Sequence, residues 1–201
     1  LNPPKEVVQA VHSYGGIIMH DIISIRHAQK ALEQGVDGLI CVAAGAGGHA
    51  GMLSPFALIR EIRSFFDGPV ALSGAISYGD AVLAAQAMGA DFAYIGTRFI
   101  ATEEAQADPA YKQMIVDSAA KDVVYTNLFT GVAGNYLSKS VERAGLDPRN
   151  LPVADKSKMN FGSGGNTKAK AWRDIWGAGQ GVGNITEAGP VAEVIDTLKA
   201  E

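Results

Sequence analysis

Cysteine, basic clusters and long apolar runs are all scarce in this 201-residue chain, and each scarcity excludes a class of protein. The single cysteine, Cys41, cannot form an internal disulfide and indicates a small core residue in a reducing compartment. The 17 Lys and Arg residues against 21 Asp and Glu give a formal charge of -4, with no basic stripe for a phosphate backbone. No apolar run is long enough to cross a bilayer. We therefore expect a cytoplasmic protein that binds neither nucleic acid nor membrane.

Glycine, by contrast, is abundant: the chain has 24 Gly against 8 Pro, spread without a fixed period. The missing period excludes collagen, and so many residues without a side chain indicate close approaches of the backbone to a ligand. Because 47% of the residues are hydrophobic, the chain can also fill one complete core. We expect a globular domain whose ligand site is built from loops.

Four short apolar segments, interrupted by amphipathic helical patterns, dominate the first half of the chain. The expected strands are 16–22, 37–44, 70–73 and 91–96. The intervening helices begin at Ser24, at Ser54-Pro55 and near Ala81, and they end at Gly35, Gly68 and Gly89. The triplets Gly35-Val36-Asp37 and Gly89-Ala90-Asp91 each precede a strand, which indicates repeated β/α units. A parallel sheet follows, either an open doubly wound sheet or a (β/α)8 barrel.

The pattern changes beyond Ala101, where regular alternation stops. We expect a long helix over 103–120, an extra strand or extended loop over 123–127 and a helix over 134–145. The segment 155–167 has no periodicity and fits either a mobile lid or a surface loop. Val191, Val194, Ile195 and Leu198 share one helical face, so a closing helix should follow a start at Thr186-Glu187.

Three loops that follow predicted strands carry the residues suited to chemistry. The first is the Gly-rich stretch 44–51, in which His49 could exchange a proton near neutral pH or lie exposed in a flexible turn. The other two, 72–80 and 94–99, combine glycine, hydroxyl groups and Arg98 at strand ends where phosphates bind in barrels. Arg98 could contact a phosphate or pair with Glu103 or Glu104 on the surface. For His12, His20 and His27, structural roles are expected.

Several short motifs occur in the order found in one known family. They are Gly-Gly-His-Ala-Gly at 47–51, Ser-Gly-Ala-Ile at 73–76, Met-Gly-Ala-Asp at 88–91, Ile-Gly-Thr-Arg-Phe-Ile-Ala-Thr-Glu-Glu at 95–104 and Trp-Gly-Ala-Gly-Gln-Gly-Val-Gly at 176–183. Together they resemble the nitronate monooxygenase family, formerly called 2-nitropropane dioxygenases. The resemblance implies an FMN-containing α/β fold, the (β/α)8 TIM barrel.

The resemblance also implies how the chain is organised. It would hold the last four β/α units of the barrel plus a helical extension, with the N-terminal half of the barrel missing. The corresponding expectations are a half barrel over 1–120, a helical and loop extension near the substrate over 121–186, and the closing barrel helix over 187–201. A homo-oligomer is compatible with this architecture.

The activity implied by the resemblance is oxidation of alkyl nitronates, of the propionate 3-nitronate type, with O2 to a carbonyl compound and nitrite. His49 would be the catalytic base beside FMN, and no metal is implied. The implied cofactor-binding residues are Gly47, Gly48, Ser73, Gly74, Ala75, Ile76, Gly96, Thr97, Gly179 and Gln180.

One position departs from the family pattern, because Asp21 lies where members often carry lysine. Negative charge there would disfavour a reduced, anionic flavin. Two alternatives therefore stay open. One is an NAD(P)H-dependent flavin enoyl or quinone reductase of the same fold, and the other is a flavin-binding module without turnover.

Overall fold

Seven strands and eight α-helices organise the computed structural model, which describes residues 4–154, 170 and 172–201. The strands are β1 (Met19–Ile22), β2 (Gly38–Val42), β3 (Gly48–His49), β4 (Val70–Ser73), β5 (Phe92–Tyr94), β6 (Val123–Thr126) and β7 (Gly134–Leu137). The helices are α1 (Lys5–Ser13), α2 (Ile25–Glu33), α3 (Pro55–Arg63), α4 (Gly79–Met88), α5 (Thr97–Ile100), α6 (Pro109–Val116), α7 (Ser138–Arg143) and α8 (Val191–Ala200). The expected loop at 155–167 lies outside the described residues.

The main sheet contains four parallel strands in the order β1-β2-β4-β5, so the four predicted β/α units are confirmed. Each strand lies beside the next one along the chain, without the reversal of order that defines a doubly wound sheet. Right-handed crossovers between such strands put the connecting helices on one face. In agreement with this, α2 packs on α3, α3 on α4, and α4 on α8.

The core of this unit lies between the sheet and its helices. Its fully buried members come from both layers and include Leu39, Cys41, Leu58, Ile62 and Leu72. Cys41 is the small core residue that its apolar surroundings predict, and burial raises the pKa of its thiol to about 12. The buried core holds the strands rigidly, and their carboxyl ends therefore provide a fixed base for loops.

The two Gly-X-Asp triplets occupy equivalent places at the opposite, amino-terminal ends of the strands. Asp37 donates its backbone N–H to the Ile18 carbonyl (2.9 Å) and accepts the Ile18 N–H on its carboxylate (2.7 Å). Asp91 makes the same pair of bonds with Val70, at 2.8 Å each. The internal repeat is therefore a repeated strand clamp, in which one carboxylate fixes the start of the neighbouring strand.

A second, antiparallel sheet has the strand order β3-β7-β6, in which β3 comes from the loop between β2 and β4 and the other two strands follow the parallel sheet in the chain. Its short strand β3 contains His49, which pairs with Gly134 of β7. The expected strand near 123–127 is confirmed as β6. This sheet joins the Gly-rich loop to the C-terminal half of the chain, and it fixes the backbone that carries His49.

The predicted helix over 103–120 is wrong in extent, since only α6 forms within it. Proline cannot donate a backbone hydrogen bond and collides with the preceding turn of a helix, so a helix must begin at Pro109. Asp108 caps this start by accepting the Ala110 N–H at 2.8 Å. The closing helix likewise begins at Val191, directly after Pro190, and not at Thr186-Glu187.

The predicted helix over 134–145 is also wrong in its first half. Residues 134–137 form β7, which pairs with β3 and β6 at once, and the helix α7 begins only at Ser138. All four β7 residues are buried, and a Cβ on Gly134 would lie 2.7 Å from the Gly48 carbonyl oxygen. Glycine in a strand commonly marks such a close approach of another backbone.

A search of the described residues for helices long and apolar enough to cross a membrane finds none. The same residues contain no group of three or more His, Cys, Asp or Glu side chains placed to hold a metal ion.

Candidate active site

A cavity of about 250 Å³ lies at the carboxyl ends of β4 and β5, where ligands bind in parallel α/β proteins. Nine of the ten residues expected to bind a cofactor line it: Gly47, Gly48, Ser73, Gly74, Ala75, Ile76, Gly96, Thr97 and Gly179. They come from four separate segments of the chain. The fold therefore brings together residues that the sequence separates by more than a hundred positions.

The loop after β4 forms one wall of the cavity. Gly74 (φ +145°) and Ala75 (φ +57°) turn the chain in a conformation that L side chains rarely adopt. The Ala75 N–H donates to the Gly45 carbonyl at 3.2 Å, and the Ser77 hydroxyl donates to the Gly181 carbonyl at 2.8 Å. These bonds tie the loop to both of its neighbours, so its backbone is held in place.

Three chain segments meet closely at Gly47. A Cβ on this residue would lie 2.8 Å from the Gly179 nitrogen and 3.1 Å from the Thr97 hydroxyl oxygen. The Gly179 N–H donates to that same hydroxyl at 2.9 Å, which leaves the Thr97 proton for a ligand. The wall here consists of backbone and one hydroxyl because glycine leaves no side chain to fill it.

Backbone donors at the two strand ends point to an anionic ligand. The N–H groups of Ile76 and Gly96 give no hydrogen bond to any acceptor among the described residues. A Cβ on Gly96 would meet nothing within 4 Å, so open space adjoins this backbone. The N-terminus of α4 is already occupied, since its Gly79 N–H donates to the Glu201 carboxylate at 2.7 Å. The available donors are therefore in the loops.

No charged side chain is found among the described residues that line the cavity. Arg98 lies outside this lining, and its exposed guanidinium donates to the Glu187 backbone carbonyl at 3.2 Å. Asp21 is exposed on β1 and is also absent from the lining. Neutral backbone and hydroxyl groups would thus have to recognise a ligand here.

His49 lies next to the cavity without lining it. Its Nε2 is 2.7 Å from the Thr130 hydroxyl, and its ring lies nearly perpendicular to that of Trp172, with 5.2 Å between ring centroids. Burial lowers the pKa of His49 from its ordinary value of 6.5, so the ring is neutral at pH 7. A neutral, anchored imidazole can act as a base.

Gln180 is the other expected site residue that does not line this cavity. It borders a separate cavity of about 170 Å³, together with Tyr125 and Asn135. Its backbone N–H donates to the Gly45 carbonyl at 2.8 Å. Gln180 therefore fixes the Gly-rich loop from its outer side.

Sequence reasoning missed several residues that line the cavity, above all Trp172 and Tyr111. The Tyr111 hydroxyl donates to the Gly177 carbonyl, and burial raises its pKa to about 12. No periodicity marks these two aromatic residues as ligand-facing. Gly177 and Gly181, which also line the cavity, lie inside the Gly-rich motif at 176–183 and could have been found from it.

Other histidines have structural partners. His12 lies 2.9 Å from the Asp37 carboxylate, and the His27 ring lies 3.0 Å from the Ser24 hydroxyl at the start of α2. The expected structural roles of these two residues are confirmed.

The parallel sheet and the cavity at its carboxyl edge define an α/β enzyme fold with a ligand site made from loops. The nitronate monooxygenase family model matches residues 1–201, and the chain belongs to this family. A nitronate monooxygenase of Paraburkholderia phytofirmans is 28% identical over 214 residues, covering 99% of this chain and 58% of that protein. A probable nitronate monooxygenase of Bacillus subtilis is 26% identical and covers 99% of this chain and 61% of its own length.

Solved structures share the fold over nearly the whole chain. FabK from Thermotoga maritima superposes with a TM-score of 0.77 at 23% identity, covering 100% of this chain and 65% of its own. A nitroalkane oxidase from Streptomyces ansochromogenes gives 0.78 at 24% identity, covering 99% and 61%. The chain thus spans about three fifths of the length of the relatives it matches.

Proposed function

We propose that the protein is an FMN-dependent oxidoreductase that oxidises alkyl nitronates, of the propionate 3-nitronate type, with O2 to a carbonyl compound and nitrite. One observation carries this proposal: nine residues implied by the family motifs line a single uncharged cavity next to a neutral histidine. The family of the chain supports the same reaction class.

The cavity suits the phosphate of FMN, because its walls offer donors and no competing anion. Ile76 and Gly96 would bind the phosphate through their backbone N–H groups and Thr97 through its hydroxyl, with Ser73, Gly74 and Ala75 shaping the same loop. Gly47, Gly48 and Gly179 leave room for the cofactor to approach the backbone, and Gln180 braces that loop. When bound, FMN supplies the electron acceptor for the nitronate and is reoxidised by O2.

His49 is proposed as the base because it is half-buried, neutral and fixed beside the cavity. Thr130 binds its Nε2 and is itself fixed to Val132, whose carbonyl and N–H lie 3.1 and 3.3 Å from the Thr130 hydroxyl. A neutral imidazole in this position can take the proton from the carbon beside a nitro group, which converts a nitroalkane into its nitronate.

The proposal includes the last four units of a (β/α)8 barrel over 1–120, an extension over 121–186 and a closing segment over 187–201. Its support is the unreversed strand order and the open edge at β5, where Phe92 and Tyr94 are each 56% exposed. An exposed aromatic edge strand invites pairing with a further strand. We propose that an N-terminal half of the barrel covers it in a cytoplasmic protein, alone or as a homo-oligomer.

An NAD(P)H-dependent flavin reductase is the second candidate, since FabK has the same fold. The described cavity lining contains no Lys or Arg, so backbone donors would have to bind the phosphates of a nicotinamide dinucleotide as well. Anaerobic reduction of the bound flavin by NADH or by a nitronate separates the two candidates.

Replacing His49 by Asn in the native, flavin-loaded protein tests the proposed chemistry. Turnover of nitroethane should fall by about a hundredfold or more, because the proton must then leave without a base. Ethyl nitronate has already lost that proton and should be affected much less. Oxygen consumption and nitrite release measure both reactions.

The matched control is His27→Asn, which removes an exposed histidine of α2 and should leave both rates unchanged. Unaltered nitroethane turnover in His49→Asn would eliminate His49 as the base. A wild-type protein that consumes neither substrate would overturn the proposed function itself.

A further inference from the structure

Trp172 has an unusual backbone conformation for a residue with a large side chain. Its φ is +71°, and the only other non-glycine residue with positive φ in the described part of the chain is Ala75. Both residues line the same cavity. Strained backbone of this kind persists where the surrounding structure enforces it, and it concentrates at ligand sites.

Two glycines hold the indole of Trp172 in place. A Cβ on Gly48 would lie 3.4 Å from the indole ring, and a Cβ on Gly177 would lie 3.3 Å from it. A Cβ on Gly177 would require the ring to shift by a few tenths of an ångström, and a Cβ on Gly48 would be in van der Waals contact with it. The glycines therefore preserve the space that the indole occupies.

The indole contacts two other rings. Its centroid lies 5.2 Å from that of the nearly perpendicular His49 ring and 5.6 Å from that of the Tyr136 ring. Trp172 is nevertheless 48% exposed, so much of its surface faces no described protein atom. Its Nε1–H gives no hydrogen bond to the described residues, whereas the Nε1 of buried Trp176 donates to the Arg173 carbonyl.

The cavity provides few other means of selecting a ligand. Its described lining has no charged side chain, so discrimination between substrates must come from shape and from single donors. A wall of one large, rigid aromatic ring beside the proposed base meets both requirements. Because the indole lies beside His49 and lines the cavity, a planar anion bound against the imidazole would be within reach of it.

We infer that Trp172 is the specificity-determining residue of the site, and that it restricts the planar anions bound beside His49 to those with short alkyl chains. The inference rests on the proposed function for the identity of the substrate. The expected limit on the length of the ligand depends only on the position of Trp172 in the cavity wall. Straight-chain carboxylates share the planar anionic head of nitronates and do not react, so they test shape separately from turnover.

The experiment measures dissociation constants of acetate, butyrate and hexanoate by thermal-shift titration of the native protein. It also measures kcat/KM for ethyl, butyl and hexyl nitronate. The wild type should prefer the short members of both series. Trp172→Ala should shift the hexyl-to-ethyl ratio by at least about tenfold toward the long chain, mainly through KM, as single pocket groups do. Trp172→Phe should give an intermediate shift.

Trp176→Phe is the matched control, because it alters the second tryptophan of the chain at a buried position stacked on Tyr111. It should lower the melting temperature without changing either chain-length preference. Trp172→Ala should leave the melting temperature nearly unchanged, since the indole is half exposed and alanine tolerates the backbone no worse than tryptophan does.

The outcomes separate this inference from the proposed function. An unchanged chain-length preference of Trp172→Ala in both series would overturn the inference, even if nitronates are oxidised. A protein that oxidises no nitronate, but whose carboxylate preference shifts in Trp172→Ala, would overturn the proposed function and support the role of Trp172.

Discussion

The hydroxyl of Thr130 anchors the ring of His49 at its Nε2 atom. Its distances to the Val132 carbonyl and N–H, 3.1 and 3.3 Å, fit one donated and one accepted hydrogen bond. The same hydroxyl lies 2.7 Å from the His49 Nε2, so the backbone at Val132 and the imidazole are tied together through Thr130. Thr130 is thus a positioning residue for the proposed base.

The pH dependence of nitroethane oxidation should report the titration of His49. Burial lowers the His49 pKa below its ordinary value of 6.5, and only the neutral ring can accept a proton. The value of kcat/KM should therefore be constant at neutral pH and fall as the pH drops through a midpoint below 6.5. Steady-state kinetics across the acid range measure this limb.

His49→Asn serves as the control for this profile, because the residual activity of that variant should have no limb in the same range. A midpoint clearly above 6.5 in the wild type would contradict the assignment. A charged neighbour, and not burial, would then determine the pKa of His49.

The substitution Gly96→Ala tests the proposed phosphate site without an expected loss of stability. Open space adjoins the position of its Cβ, so Gly96→Ala should leave the free energy of unfolding of the apoprotein unchanged. The methyl group would meet a phosphate bound at this backbone, and FMN affinity should fall by about tenfold or more, equivalent to about 1.4 kcal/mol. Fluorescence titration of the deflavinated protein with FMN gives the dissociation constant.

Gly183→Ala is the companion variant, at an exposed glycine where the added Cβ would make an ordinary 3.5 Å contact. It should bind FMN as tightly as the wild type does. Equal FMN affinity in Gly96→Ala and wild type would remove Gly96 from the site.

At this scale, the sequence allowed much of the glycine and hydroxyl wall to be predicted, because Gly47, Gly74 and Gly96 lie in short motifs next to strands. Trp172 and Tyr111 could not be predicted in the same way. They reach the cavity from segments without periodicity, and tertiary packing alone determines where their rings lie.

At the scale of elements, the clamp that Asp91 forms at the start of β4 should be measurable as stability. The Val70 N–H and then Arg63 lower the pKa of the Asp91 carboxylate, so both bonds favour its charged form. Asp91→Ala removes them and should reduce the free energy of unfolding by about 1–2 kcal/mol. Urea denaturation measures the change, and activity per folded molecule should be retained because the clamp lies at the far end of the sheet.

The pH dependence of this effect has a definite sign. The stabilisation by Asp91 is fully present above its ordinary pKa of 3.8 and is lost as the pH falls through the lowered value in the folded state. Asp67→Ala, at an exposed carboxylate, should change stability very little. If Asp91→Ala is as stable as Asp67→Ala at neutral pH, the clamp contributes nothing.

Elements with strong local signals were predictable, and those fixed by distant contacts were not. The strand Val70–Ser73 was found with its exact ends, and Gly89 ends α4 with φ +107° as expected. Residues 134–137 were mistaken for helix because their strand character depends on pairing with β6 along their whole length and with the two-residue strand β3 on the other side. No local pattern encodes such pairing.

At the scale of the whole molecule, the exposed edge strand β5 and the cavity are adjacent, because Tyr94 of β5 also lines the cavity. An apolar groove lined by Val82, Phe92, Phe99, Ile195 and Leu198 adjoins β5, where an additional strand of a barrel would continue the sheet. The chain spans about three fifths of the length of the curated relatives it matches. In the proposed barrel, pairing of a further strand with β5 would bury this aromatic edge.

The reduction of bound flavin in the absence of oxygen tests the central claim most directly. The purified native protein is mixed anaerobically with ethyl nitronate or propionate 3-nitronate, and in parallel with NADH, while its visible absorbance is followed. We predict that the absorbance bands of the flavin bleach rapidly with a nitronate and persist with NADH. Bleaching by NADH alone, or a protein without flavin bands, would contradict it.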